Sequence, residues 1–262
     1  MSLLFSTYWW HEACGRGVRS RYTMRFMVMP QLTPYVELTD DPDELSLDYY
    51  YEQTAPGTPL RQDLLNKGFT LHQRRTFVID DLSDIDSLAK RFSENKRRQI
   101  KRAANLRVVY DLTPAEFYNM HEHWLAGRGR KIQYSRNYFL CLADAALEHD
   151  AAQIVGLQGE NGEYYAAAFL VYDNSICYYL VPTFNPLYAD SGAGARLVLE
   201  SLIVAKDKGC KQFDFEGGNN SPTIALHYSQ FASNPVTYYG YEKYYNTLFK
   251  LFFPLYKKLF LR

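Results

Sequence analysis

Between residues 151 and 184 the chain runs through three apolar stretches, "AAQIVGLQ", "EYYAAAFLVYD" and "SICYYLVPTF", with only short breaks between them. Their β-branched and aromatic residues suit a pleated surface. Asn161-Gly162, between the first two, is a strong hairpin signal, because glycine takes up the positive φ that a tight reversal needs. Consecutive apolar strands must be covered, and the flanking sequence supplies the cover.

On the N-terminal side, "LRVVYDL" reads as a strand. "TPAEFYNMHEHWLAGRG" reads as a helix with Thr113 as N-cap, Pro114 at its first position, Glu116 in its first turn and an end near Gly127. "SRNYFLCLADAALEHD" is a second helix, capped by Ser135. Beyond the three strands come "SGAGARLVLESLIVAKDKG", a helix closed by Gly209, the strand "CKQFDFEGG", the short helix "SPTIALHYSQF" and a last strand in "VTYYGYEK". The order is strand, helix, helix, three strands, helix, strand, helix, strand. It predicts one α/β unit with a mixed sheet over residues 105–245.

Residues 1–104 read differently. A short strand, "RFMVMP", leads into a stretch rich in proline and acid at 30–63. A strand around Arg75–Ile79 follows, then one or two helices in "SDIDSLAKRFSENKRRQIKRAAN" with Ile85, Leu88, Ala89 and Phe92 at helical spacing. Residues 246–262 form a basic aromatic tail, with Phe249, Phe252, Phe253, Tyr256 and Phe260 on one helical stripe, interrupted by Pro254. Two readings stand for it: a helix docked on the domain, or contact with an anionic membrane surface.

Formal charge over the 262 residues is zero, so any attraction to a polyanion must be local. Cys14, Cys141, Cys177 and Cys210 are widely spaced, which points away from a disulfide framework and from a zinc site. His121 and His123 face different sides of one helix, so no metal is expected. With no basic leader and no apolar run long enough to span a bilayer, the expected address is the cytoplasm.

Three stretches carry chemistry. In "DSGAGAR", Ser191, Gly192, Ala193, Gly194, Ala195 and Arg196 open a helix whose free amides and dipole suit a phosphate; the other reading is a simple cap. Between Lys90 and Arg102 seven basic residues accompany one acid, Glu94. Lys96, Arg97 and Lys101 are the candidates there for holding a diphosphate, a tRNA backbone or an anionic headgroup. The alternative is a solvated helix paired with the acids at 80–86. In "KQFDFEGG", strand alternation puts Asp214 and Glu216 on one side and Phe213 and Phe215 on the other, with Gly217 and Gly218 opening space at the strand end. Paired acids there suit proton transfer, Glu216 before Asp214, and each tends to keep the other protonated. The competing reading is that they cap backbone donors of "NNSPT". His227 follows the glycine turn, where a surface or cap role is the expectation.

The element order, with "SENKRRQIKRA", "NGEYYAAAFLVYD", "YYLVPTFNPLYADSGAGARLVLESLI" and "FDFEGG" followed by "FASNPVTYY", resembles the GNAT acyltransferase superfamily, and within it the FemAB-like branch. The likeness runs over residues 70–245. It implies a GNAT-like fold and N-acyl transfer onto an amine of a cell-envelope or polysaccharide precursor. It also implies backbone donors for the acyl oxygen near Leu180–Thr183. The first 104 residues hold too few strands for the second GNAT-like half usual in that branch, so the N-terminal portion is abbreviated. Ala189 stands where a Gln or Arg usually precedes the first glycine, and the donor stays open between a coenzyme A thioester and aminoacyl-tRNA. The rival reading is a catalytically idle module that binds a phosphorylated glycan or lipid. Peripheral contact at the inner membrane face through 246–262 goes with either.

Overall fold

From Ala166 to Tyr172 every residue is without solvent exposure, which happens only to a strand covered on both faces. In the computed structural model this is the middle of the first unit. Described are residues 49–54, 56–132, 134–173, 175–217, 221–248 and 250–252. They fall in two units: Phe77–Pro235, and the residues up to Thr76 together with those from Val236 onward. "RFMVMP", the first part of the proline-rich stretch, Cys14, Gly218 and most of the basic tail lie outside the described residues.

The elements are β1 (Tyr49–Gln53), α1 (Gln62–Asn66), β2 (Thr70–Ile79), α2 (Ile85–Lys90), α3 (Glu94–Arg102), β3 (Arg107–Val109), α4 (Pro114–Ala126), α5 (Arg136–Glu148), β4 (Ala152–Gln158), β5 (Tyr164–Tyr172), β6 (Ile176–Phe184), α6 (Ala193–Asp207), β7 (Gln212–Asp214), α7 (Pro222–Ser229) and β8 (Asn234–Tyr244). From Leu106 on, this is the order expected. In the first unit the strands lie in the order β2-β7-β6-β5-β4-β3. All neighbours are antiparallel except β6 and β7, which are parallel and joined through α6. The sheet is mixed, as expected.

Alternation along β5 sorts its side chains. Ala166, Ala168, Leu170 and Tyr172 join the core beneath α6, with Leu197, Val198 and Leu202. Phe169 points the other way, into rings from α4 and α5: Phe139 at 5.4 Å and Phe117 at 6.4 Å between centroids. Local chemistry fixes the ends of these helices. Thr113 Oγ1 accepts from the Glu116 amide while the Glu116 carboxylate accepts from the Thr113 amide, a reciprocal cap with Pro114 just inside. The β4–β5 connection spans Gly159–Glu163, with Gly162 at φ +79°. β3 is only three residues long, because the chain turns away toward the Thr113 cap.

In the second unit, β1 pairs antiparallel with β8. Leu64, Phe69 and Tyr241 form a small core, and Tyr241 Oη accepts from the Arg61 amide at 2.7 Å. At the start of the tail, Leu248, Leu251 and Phe252 are exposed.

One contact sets how α3 and α6 pack in the first unit. Gly192, the N-cap of α6, has φ +86°, and a Cβ placed there would lie 2.2 Å from the Gln99 carbonyl oxygen. The helices therefore meet backbone to backbone. Gly192→Ala would add left-handed strain to a clash with a rigid main chain. It should cost about 3 kcal/mol, read as a lower midpoint in urea unfolding with an unchanged slope.

Candidate functional site

β6 and β7 run together for only three residue pairs, Ile176↔Gln212, Cys177↔Phe213 and Tyr178↔Asp214. β6 then leaves β7 and continues to Phe184 paired with β5. Where they part, β6 also bulges. Between the pairs Val171↔Tyr178 and Phe169↔Val181, it places Tyr179 and Leu180 opposite the single residue Leu170. A bulge turns the strand and redirects its amides and side chains. The stretch expected to offer acyl-oxygen donors starts at this bulge.

β7 ends because Asp214 ends it. Its Oδ1 accepts the Glu216 amide at 2.8 Å, taking a donor that a longer strand would have given to its neighbour. Glu216 is then held at φ +55°, a conformation that costs a side-chain-bearing residue about 1 kcal/mol. So Glu216 lies beyond the strand rather than on it, as the sequence pattern had implied. The aromatics keep their expected side: the Phe215 amide still bonds to the Phe77 carbonyl at 3.0 Å, and Phe213 and Phe215 meet edge-on at 5.2 Å in the core.

Asp214 is buried. Glu216 is half-buried as a residue, yet its Oε1 is sealed from solvent and has no hydrogen-bond partner among the described residues. Burial first, and then the charge of Asp214, raise the Glu216 carboxyl well above the usual carboxylate range. Tyr228 stacks on Phe215 at 4.4 Å, and burial followed by the two carboxylates pushes its hydroxyl up to about 12. Tyr179, at the bulge, is buried with its hydroxyl unpartnered, and burial and then Tyr228 raise its pKa well above the ordinary tyrosine value. Two sealed polar atoms, Glu216 Oε1 and Tyr179 Oη, thus belong to residues that both interact electrostatically with Tyr228. Left unpaired, each costs about 1–3 kcal/mol, a cost that a bound ligand's own donors and acceptors would remove.

The α6 N-terminus is less open than "DSGAGAR" implied. Ser191 Oγ accepts the Ala193 amide at 3.1 Å, and the Gly192 carbonyl accepts both the Ala195 and Arg196 amides. Gly194 is left as the helical amide with no protein acceptor among the described residues. Arg196 turns along the helix to Glu200 at 2.6 Å. Ser191, with Arg102, Asn105, Asn161 and Tyr165, lines a cavity of about 420 Å³ beside this turn.

The basic helix divides its charges. Lys96 does not stand with Arg97 and Lys101 but is buried. Its Nζ lies 2.8 Å from His227 Nδ1 and 3.3 Å from Gln99 Oε1, over the Phe231 ring. Burial lowers the lysine's pKa. Burial and then the lysine charge bring His227 down to about 4. Nothing in the local pattern marked this pair, because its members are 131 positions apart in the chain. Arg97 and Lys101 remain exposed. Gly217 directly follows Glu216, with open space where a Cβ would be. His121 packs on Phe117. Among the described residues no group of His, Cys, Asp and Glu could hold a metal, and no helix is long and apolar enough to cross a membrane.

The sequence profile of the acetyltransferase (GNAT) domain matches residues 68–228, more than half of the chain. No curated protein sequence matches the chain. Among solved structures the fold is similar to FemX (TM-score 0.64, 14% identity, 83% of this chain and 75% of that one). It is similar to the C-terminal domain of a proposed lysylphosphatidylglycerol synthetase from Agrobacterium fabrum (TM-score 0.54, 13% identity, 74% and 67%). It is also similar to L-PGS from Bacillus licheniformis (TM-score 0.51, 16% identity, 82% and 73%).

The Lys96–His227 contact sets a pH response. His227 titrates below its ordinary value, so between about 4 and 6.5 the unfolded chain binds a proton that the folded one does not. Stability falls as pH drops through that window. NMR titration of the His227 ring should give a midpoint near 4, rising in Lys96→Met. His227→Gln should lessen the acid loss of stability.

Proposed function

The chain belongs to the acetyltransferase (GNAT) family, and on that premise we propose that it is an N-acyltransferase working where β6 and β7 part. The observation that carries this reading is the sealed, unpartnered Glu216 Oε1 together with buried Asp214, whose partner on β6, Tyr178, borders the bulge. Two carboxyls in so small a volume resist ionising together, so the pair holds one proton. The charged member takes a proton from the acceptor amine as its nitrogen attacks the acyl carbonyl. The protonated member returns one to the leaving thiol or ribose hydroxyl. One carbon–nitrogen bond forms, one carbon–sulfur or carbon–oxygen bond breaks, and the pair ends as it began. The oxyanion formed between these steps would be met by backbone amides past the bulge and by Tyr179.

Substrates are proposed by class. The donor is an acyl-CoA or an aminoacyl-tRNA, and the acceptor an amine of a cell-envelope precursor. Support comes from the fold shared with FemX and L-PGS. Peripheral membrane contact through 246–262 belongs to the same proposal, supported by the exposed Leu248, Leu251 and Phe252. One observation favours the rival reading, an idle module: most α6 amides that would receive a donor phosphate are used within the turn.

Transfer of radiolabel from acyl-CoA or from aminoacyl-tRNA to an envelope-precursor amine separates the two. Under the transferase reading, Glu216→Gln lowers kcat at least about a hundredfold with little change in KM, and Tyr179→Phe lowers it less. Label that stays on both donors, or a Glu216→Gln variant of undiminished rate, would overturn the reading.

A further inference from the structure

The charges that the basic helix leaves outside meet at one place. Arg97 and Lys101, one turn apart on α3, line a cavity of about 340 Å³ together with Lys90 of α2 and Arg196 of α6. Opposing them are Asp86 in the lining and Glu200, which holds Arg196 from behind. Ala89, Ile100 and Leu199 form an apolar floor.

The simplest account of such a helix is pairing with the acids just before it. Three of those acids are otherwise engaged, and the fourth, Asp86, is the one in the lining. Asp80 takes the Asn234 side chain, Asp81 the Ser83 amide, and Asp84 caps α2 through the Ser87 amide. Among the described residues Lys90, Arg97 and Lys101 make no ion pair; Arg97 spends one donor on the Lys90 carbonyl at 3.0 Å. Arg196 has a buried Nε with no acceptor. Four cations thus face two acids, Asp86 and Glu200; the positive charge left over is self-repelling, and an anion among them removes that cost.

We propose that this cavity is a binding site for a phosphate ester, its phosphate held by Arg97, Lys101 and Arg196 and its carbon body resting on the Ile100–Leu199 floor. The volume sets the class. At ~30 Å³ per water, the space equals about eleven waters, enough for a phosphate or diphosphate with part of its substituent. Arg97 suits the tetrahedral oxygens through the N–H donors not given to the Lys90 carbonyl, Lys101 adds a point charge, and Arg196 contributes through the part of its guanidinium not held by Glu200. The site stands independently of the transfer reaction.

Calorimetric titration of the full chain with inorganic pyrophosphate and with ADP, and flotation with vesicles of phosphatidylglycerol or of phosphatidylcholine, tests this. At least one phosphate probe should bind. The Arg97→Gln/Lys101→Gln variant should weaken it at least about tenfold, while Arg98→Gln, which removes an exposed residue paired to Glu94, changes it little. Binding of pyrophosphate or ADP points to a soluble ester, and retention by phosphatidylglycerol but not phosphatidylcholine to a lipid headgroup. Both support the site, provided circular dichroism and the melting temperature show the variant folded. A misfolded double variant is replaced by Lys101→Gln alone, judged by the same criterion. Equal binding by wild type and variant, no binding of any phosphate probe, or loss confined to a short RNA duplex would overturn it.

Discussion

The hydrogen bond from the Glu216 amide to the Asp214 carboxylate decides where the sheet opens. By diverting that amide it stops β7 after three residues, while β6, with its bulge, runs on. The gap between them is therefore made by a side chain of the site itself. The same bond brings Glu216 back over Asp214 and burdens it with left-handed backbone. Burial and then the charge of Asp214 raise the Glu216 carboxyl, and burial and then both carboxylates raise the Tyr228 hydroxyl. Geometry and acidity at this point have a single origin.

Much of the framework was legible in the sequence because it is written in local terms. Thr113 with Glu116, Gly209 after a closing turn, and Asn161-Gly162 between two apolar runs are signals within a few residues of each other, and the structure follows them. Glu216 was legible only in part. Strand alternation put it beside Asp214, but a side chain capturing a backbone donor two positions on competes with the ladder, and pattern alone does not say which wins. Lys96 was grouped with Arg97 and Lys101 by charge. Its actual neighbours, His227 and Phe231, come from the far end of the unit, and neighbouring charges on one helix gave no sign that one turns inward.

The glycine-rich turn shows the opposite bias. Read as a sequence, "GAG" suggests amides held open for a phosphate. In the structure Gly192 is needed first for close approach to the Gln99 main chain, and Ser191 and the Gly192 carbonyl use most of the amides. A glycine motif reports that something comes near the backbone without saying whether that is a ligand or another helix.

Glu216 is costly where it stands, since glycine or asparagine would sit at that φ with less penalty. Under the proposed transfer, drift without selection for a carboxyl would replace it readily, and the protein would grow sturdier as that activity was lost. On the proposed reading, the residue that follows Phe215 is a record of use: an acid there would go with a chain kept at work, and a small flexible residue with one that has retired.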